Sequence, residues 1–297
     1  MSFHMKNATA RRALQAASAT LLAALASAAH ADWGLNMPEG VSVLSTKIYG
    51  LHMLILWVCV GIAVVVFGAM IYSMVKFRRS KGAEPDKTLV HSTKVEIVWT
   101  VIPIAILVAM AVPIARTLID IENMEGAKLD IKVTGYQWKW EYEYVGQDVS
   151  FFSTLKRDSD AARQLNSGID PATIPNYLLD VDNPLVIPAG TKIRFLLTAQ
   201  DVIHAWWVPD FGMKKDAIPG YLNEIWVEVD PNKVGTYRGV CAELCGRDHG
   251  FMPIVVEVKS PAEFDAWLRA KQAEKKMAAV APGTPGAVAG TASALVQ

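Results

Sequence analysis

Cys241-Ala242-Glu243-Leu244-Cys245-Gly246-Arg247-Asp248-His249-Gly250-Phe251-Met252-Pro253 is the stretch from which the rest of the chain can be read. Two thiols, an imidazole and a thioether are spaced C-x3-C-x3-H-x2-M. Soft sulfur together with imidazole selects copper, zinc or iron over magnesium or calcium. The spacing suits a short rigid loop wrapped around a metal. C-x3-C-x3-H alone would serve zinc as well. Met252 moves the reading toward copper, because a thioether is a poor zinc ligand and a familiar weak ligand at copper electron-transfer sites. A one-copper site of that kind takes one cysteine, and this loop has two. Two thiolates can bridge two copper ions, which then require a second histidine. His204, in Gln200-Asp201-Val202-Ile203-His204-Ala205-Trp206-Trp207-Val208-Pro209, is the candidate. Without such partners, two neighbouring thiols in an oxidising compartment default to a disulfide.

Upstream of the loop the chain reads as exported and membrane-bound. Residues 1–31 have the form of a signal peptide: Lys6, Arg11 and Arg12, then an apolar run from Ala19 to Ala29, then the cleavage signal Ala29-His30-Ala31. The apolar run is too short for a span of about 30 Å of hydrocarbon. The mature chain is expected to start at Asp32, with 32–50 an exposed lead-in. Residues 51–75 carry no formal charge and are expected to form the first span; 95–118 form the second, despite Glu96, Pro103 and Pro113. The connecting segment 76–94 carries Lys76, Arg78, Arg79, Lys81, Lys87 and Lys94 against Glu84 and Asp86. By the positive-inside rule it is cytoplasmic, so both outer ends of the hairpin lie across the membrane. Cys59, inside the first span, reads as a small apolar residue.

From Ile119 onward the pattern turns to short strands and turns, expected to close as a β-sandwich or barrel over 119–259. Asp130 to Thr134 alternates with period two. Tyr136, Trp138, Trp140, Tyr142 and Tyr144 share the opposite parity, which suggests a bulge at Gly135. Further strands are expected at Tyr177–Val186, Lys192–Leu197, Tyr221–Val229, Gly235–Val240 and Ile254–Val258, with Phe151–Thr173 an irregular insertion. Ser260-Pro261-Ala262-Glu263 is a capping box that opens a helix to about Lys276. The rest of 260–297, rich in Ala, Gly and Pro, has a disordered composition.

The chain is neutral, with 29 basic and 29 acidic residues, but Ile119 to Ser260 holds 21 acidic against 14 basic ones. That excess would steer a basic partner, although acidic domains also use such charge for solubility alone. Nothing points to nucleic acid. A fused c-type haem domain is excluded by the lack of C-x-x-C-H.

From about Asp32 to about Lys259 the chain resembles subunit II of the bacterial haem-copper cytochrome c oxidases, the subunit with the dinuclear copper A centre. The resemblance rests on the cysteine loop and on the His204 segment. It implies a two-helix membrane hairpin followed by an all-β, cupredoxin-like domain. It also implies His204, Cys241, Cys245, His249 and Met252 as side-chain ligands, with the backbone carbonyl of Glu243 completing the set. The Glu243 side chain would reach a magnesium ion shared with subunit I.

Other roles follow from the same resemblance. Trp138, the first tryptophan of Gln137-Trp138-Lys139-Trp140, would be the electron entry point, although its parity also fits core packing; many relatives carry an aromatic residue at Lys139. Glu96, in Glu96-Ile97-Val98-Trp99, would stand at the mouth of a proton path, or be a carboxylate of the cytoplasmic interface. Glu143, Asp182 and Asp201 would dock a basic cytochrome c. Asp201 and Asp248 would orient the histidines, or serve only as surface acids.

The implied function is electron transfer from cytochrome c to haem in subunit I, where oxygen is reduced with proton translocation. The implied partners are subunits I and III in the bacterial inner membrane, with both ends of the chain periplasmic. Quinol-oxidising relatives lack the copper ligands, and nitrous oxide reductase lacks the hairpin. A membrane-tethered copper carrier or sensor is the alternative from another class.

Overall fold

A computed structural model describes residues 34, 36–82, 84, 88 and 91–280. The expected signal peptide, its cleavage site, Asp32, most of 83–90 and the tail beyond 280 lie outside the described residues.

Helix α1 runs over Val43–Lys76 and α2 over Thr93–Ile121. At 1.5 Å per residue these are about 50 and about 43 Å long, more than the roughly 30 Å of a hydrocarbon core, so their ends project into the interfaces. Both are apolar and exposed along their length, the surface that lipid would cover. α1 starts at Val43 and not at the apolar run from Leu51, because a cap and not hydropathy fixes its first turn. Ser42 Oγ accepts from Ser45 N, and Ser45 Oγ from Ser42 N, both at 2.9 Å. α2 likewise outruns the expected span at both ends. Inside it the hydroxyl of Thr117 donates to the carbonyl of Pro113 at 3.0 Å.

Among the described residues, ten strands form two five-stranded sheets. One has the order β3-β2-β1-β5-β8, with β1 Leu129–Tyr136, β2 Lys139–Tyr144, β3 Val149–Ser153, β5 Ile193–Ala199 and β8 Asn223–Val227. The other has the order β4-β10-β9-β6-β7, with β4 Leu185–Pro188, β6 His204–Val208, β7 Met213–Ala217, β9 Gly235–Cys241 and β10 Pro253–Lys259. Alternation does the sorting: in β5, Ile193, Phe195, Leu197 and Ala199 are buried while the residues between them are not. The inner faces meet in a core that includes Trp140, Tyr142, Phe195 and Trp206, the last two stacked at 5.2 Å. The expected helical hairpin and all-β sandwich are both present.

Three details of the sequence reading need correction. β1 and β2 pair continuously from Ile131↔Tyr144 to Tyr136↔Lys139, so there is no bulge at Gly135. The change of parity comes instead from a two-residue turn, Gln137-Trp138, whose peptide bond is cis. The expected strand at 177–186 is irregular until Leu185, apart from an isolated bridge of Val181 to Leu155, because Asn176 and Leu178 adopt positive φ and the Asp182 carboxylate accepts from Asn183 N at 2.8 Å. Part of the expected insertion is framework: β3 pairs along β2, and a short helix α3 follows at Arg157–Ala162.

The lead-in is tied to the sandwich and not simply exposed. Val41 N donates to Asp210 O at 2.8 Å, Val43 N to Glu228 O at 2.9 Å, and Ser42 Oγ to Phe211 O at 2.6 Å. At the end of α2, Trp226 Nε1 donates to Asp120 O at 3.0 Å, and Lys47 bridges α1 to Asp120 at 2.7 Å. After β10, Ser260 and Glu263 form the expected box and open α4, Pro261–Val280. Phe264 of α4 packs on the core.

Candidate metal centre

β9 ends at Cys241, and the chain then loops through Cys245 and a 3-10 turn at His249–Phe251 before entering β10 at Pro253. Trp206 pairs with Cys241 across β6 and β9, so His204, two residues earlier on β6, is carried to the same end of the sandwich. The polar and sulfur atoms converge there. Cys241 Sγ lies 3.8 Å from Cys245 Sγ, 3.9 Å from His204 Nδ1 and 3.3 Å from the carbonyl oxygen of Glu243. Cys245 Sγ lies 3.5 Å from both His249 Nδ1 and Met252 Sδ. One nitrogen and two sulfurs of His204, Cys241 and Cys245 fall within 4.8 Å of one another. A disulfide has its sulfurs about 2.05 Å apart, so these thiols are free. His204, Cys241, Cys245 and Met252 are buried, and His249 is half-buried.

The surroundings fix this arrangement. Asp201 Oδ1 contacts His204 Nε2 at 2.9 Å, which leaves Nδ1 for the sulfurs. Its other oxygen accepts Gln137 N at 2.7 Å, tying the β1–β2 turn to the histidine. That turn also grips the cysteine loop. Gln137 Nε2 and Trp138 Nε1 both donate to the carbonyl of Cys245, at 2.9 and 3.2 Å. Trp140 Nε1 donates to the carbonyl of Met252 at 3.3 Å. Two glycines make the close approaches possible. A Cβ on Gly135 would lie 2.8 Å from the His204 ring, and one on Gly246, at φ +116, would lie 3.0 Å from Gln137 Nε2.

The thiols differ electrostatically. Burial raises the pKa of Cys241, but hydrogen bonds with His204 and the main chain at Ala205 and Glu243 outweigh it and hold it at about 7. Burial pushes Cys245 up to about 12, and the nearby Cys241 charge adds to the rise. Burial disfavours the charged form of His204, yet Cys241 and Asp201 together raise its pKa. Burial likewise works against the Asp201 carboxylate, while His204 and the N–H groups of Val202 and Gln137 bring its pKa down overall.

A dinuclear copper group fits this donor set. Two unbridged thiols 3.8 Å apart, two imidazole nitrogens, a thioether and a main-chain carbonyl face one region. Sulfur with imidazole serves copper, zinc or iron, and the thioether of Met252 with the paired thiols favours copper. The Glu243 carboxylate is exposed and has no partner among the described residues.

The other candidate residues lie as follows. Trp138 sits in the β1–β2 turn, half-buried and packed against the edge of the core, whereas Trp140 and Tyr142 are fully buried within it. Glu96 is in the first turn of α2 and makes no side-chain bond among the described residues. Glu143 is exposed, with Lys132 at 3.8 Å. Asp182 accepts from Thr154 N and Oγ1 at 2.7 and 2.9 Å. Asp182 and Asp201 are thus exposed but spent on internal bonds, whereas Glu143 is the freer of the three. The sequence alone gives Gln137, Trp140, Gly135 and Gly246 no part in the metal centre. A glycine inside a strand signals either a bulge or a close approach, and only the packed histidine decides between them.

The sequence matches two family descriptions. "Cytochrome C oxidase subunit II, periplasmic domain" covers residues 129–259, and "Cytochrome C oxidase subunit II, transmembrane domain" covers residues 30–116. A probable cytochrome c oxidase subunit 2 of Rickettsia bellii is 40% identical over 240 residues, 80% of this chain and 84% of that protein. The cytochrome c oxidase subunit 2 of Cereibacter sphaeroides is 31% identical over 303 residues, 96% of this chain and 99% of that one. Among solved structures, the periplasmic domain of cytochrome oxidase subunit II of Bradyrhizobium japonicum is 40% identical, with a TM-score of 0.43, and covers 51% of this chain and 99% of its own. Membrane hairpin, sandwich and cysteine loop thus occur in one continuous match, and the chain belongs to the cytochrome c oxidase subunit II family.

Proposed function

We propose that the chain is the electron-entry subunit of a respiratory cytochrome c oxidase. It accepts single electrons from cytochrome c and passes them to haem in subunit I, where oxygen is reduced and protons are moved. The observation that carries this reading is the convergence of Cys241, Cys245, His204, His249, Met252 and the Glu243 carbonyl, with contacts of 3.3–3.9 Å about the two sulfurs. Those residues would hold two copper ions. Bound there, copper supplies a one-electron couple, with soft sulfur and neutral imidazole suited to both of its oxidation states.

The chain's own contribution is rigidity and access. Asp201 holds the His204 ring, Trp140 holds the Met252 main chain, and burial of the thiols keeps water out. Rigid donors limit the rearrangement that accompanies electron transfer. Trp138 is the proposed entry: it is half-buried, with its indole bonded to the Cys245 carbonyl. Glu96 is the proposed mouth of a proton path, and the Glu243 carboxylate the proposed link to magnesium at the face of subunit I. Subunit III is the further expected partner. The proposal puts the segment before α1 and the sandwich on the periplasmic side of a bacterial inner membrane, with the helix ends at Val43, Lys76, Thr93 and Ile121.

A tethered copper carrier or sensor would need a site open to exchange. Cys241, Cys245 and Met252 are at most 5% exposed, which favours electron transfer. Metal content and optical spectra of the purified complex test the proposal. Two coppers per chain and a purple mixed-valence spectrum are expected, both lost in Cys245→Ser. One tightly bound zinc and no copper would overturn it.

A further inference from the structure

Arg163 lies outside the donor set and outside every motif of the sequence. It follows α3, far in sequence from the cysteine loop, yet its guanidinium reaches that loop on two sides. Nη1 and Nη2 lie 3.4 and 3.3 Å from the two carboxylate oxygens of Asp248. Its Cζ lies 4.3 Å from the centroid of the Phe251 ring. Behind it, Nε donates to Asp160 Oδ1 at 2.7 Å. Asp248 immediately precedes His249, and Phe251 immediately precedes Met252. One side chain therefore grips the two loop residues that adjoin two of the donors.

This is not an ordinary solvated ion pair. The side chains of Arg163 and Asp248 are 21% and 14% exposed, so the Asp248 charge depends on its partner more than on water. Arg247 also approaches Asp248, at 3.5 Å, but its side chain is 82% exposed and touches neither Phe251 nor Asp160 in the same way. The arrangement uses what is particular to arginine: a planar fork for a carboxylate, a separate Nε–H, and a flat face for an aromatic ring. Lysine can replace the charge but not the three contacts together.

We infer that Arg163 is a positioning residue that holds His249 and Met252 in place through Asp248 and Phe251. The inference rests on the copper reading proposed above. It gives the segment between β3 and β4 a role at the metal centre.

The oxidase purified from membranes, carrying wild-type chain, Arg163→Gln, Arg163→Lys or Asp160→Asn, provides the test. The readouts are copper per chain, the optical and electron paramagnetic resonance spectra of the centre, its midpoint potential, and the melting temperature. Both Arg163 variants are expected to show an altered spectrum and a shifted midpoint potential in assembled complexes, and Asp160→Asn a smaller change of the same sign. Loss of copper from an assembled Arg163→Gln chain is the stronger form of that result. If Arg163→Gln fails to assemble, Arg163→Lys carries the test. A lowered melting temperature with wild-type spectrum and potential would overturn the inference, as would full rescue by lysine. Absence of a dinuclear copper spectrum in the wild-type complex would instead sink the parent proposal.

Discussion

The indole N–H of Trp138 meets the main-chain carbonyl of Cys245 at 3.2 Å, so a half-buried aromatic ring is joined to the backbone of a candidate copper ligand. If electrons enter there, Trp138→Gln should leave a folded chain that keeps its copper and still binds cytochrome c. Only reduction of the centre should slow, by orders of magnitude, because the π-system in contact with the donor is gone. A normal stopped-flow reduction rate in a copper-loaded Trp138→Gln complex would remove Trp138 from the path.

Trp140 is fully buried and its N–H serves the carbonyl of Met252. Trp140→Phe keeps much of the ring and leaves that carbonyl without its donor, at a cost of about 1–3 kcal/mol. Thermal melting should therefore drop by several degrees, and electron entry should change less than in the Trp138 variant. The opposite ranking of the two variants would reverse their assigned roles.

Gly135 faces the His204 ring so closely that an added Cβ would lie 2.8 Å from Cδ2. Gly135→Ala must push the imidazole or bend β1, a loss of about 1–3 kcal/mol typical of overpacking. Copper occupancy should fall together with stability. Full copper and an unchanged melting temperature would mean the ring has room to spare.

Protonation separates the thiols in the metal-free, reduced chain. Cys241 is held at about 7, below its ordinary value of 9.0, and Cys245 is pushed up to about 12. The lowered Cys241 pKa favours the folded state above the unfolded value, and that contribution fades as pH falls from about 9 through about 7. The raised His204 pKa works the other way, favouring the fold below about 6.5 and fading as pH climbs past it. For Cys245 the unfolded chain ionises first, so stability should decline above about pH 9. In a Cys59→Ser chain, which keeps only these two thiols, ultraviolet thiolate absorbance should rise by one thiolate near pH 7 and by a second only at strongly alkaline pH. Two thiolates appearing together near pH 9 would contradict this asymmetry.

Docking by charge is best examined at Glu143. Asp182 and Asp201 are bound into turns, so neutralising either disturbs a loop as well as a field. Among the described residues the Glu143 carboxylate meets one opposite charge, half-buried Lys132 at 3.8 Å, and Glu143→Gln changes little but charge. If the acidic face steers a basic cytochrome c, turnover should weaken with ionic strength, since screening acts over about 10 Å at 0.1 M. Glu143→Gln should then lower the association rate at low salt and flatten the dependence. An identical salt profile would assign the charge excess to solubility.

The sequence by itself determined the class of the molecule. Two long apolar runs, the second carrying only Glu96 and Arg116 as charges, are satisfied as helices in lipid, and the basic segment between them sets the expected orientation of the hairpin. The cysteine loop announced its metal chemistry because four donors lie close along the chain, where spacing survives without a structure. His204 was also within reach, since a histidine beside the paired Trp206 and Trp207 stands out in a strand-rich region.

Tertiary structure decided what depends on contacts between distant residues. Gly135 alternates like any strand residue until the His204 ring is packed against it. Trp138 shares its parity with Trp140 and Tyr142, yet it lies in the two-residue turn between β1 and β2 and stays half-buried at the edge of the core while they are fully buried. The start of α1 was set by the Ser42 cap and by bonds to Asp210 and Glu228, which hydropathy does not register. Arg163 left no trace in the sequence, because its partners Asp248 and Phe251 lie more than eighty residues away. A side chain's reach across a fold is fixed by how the sheets pack, and no local pattern encodes it.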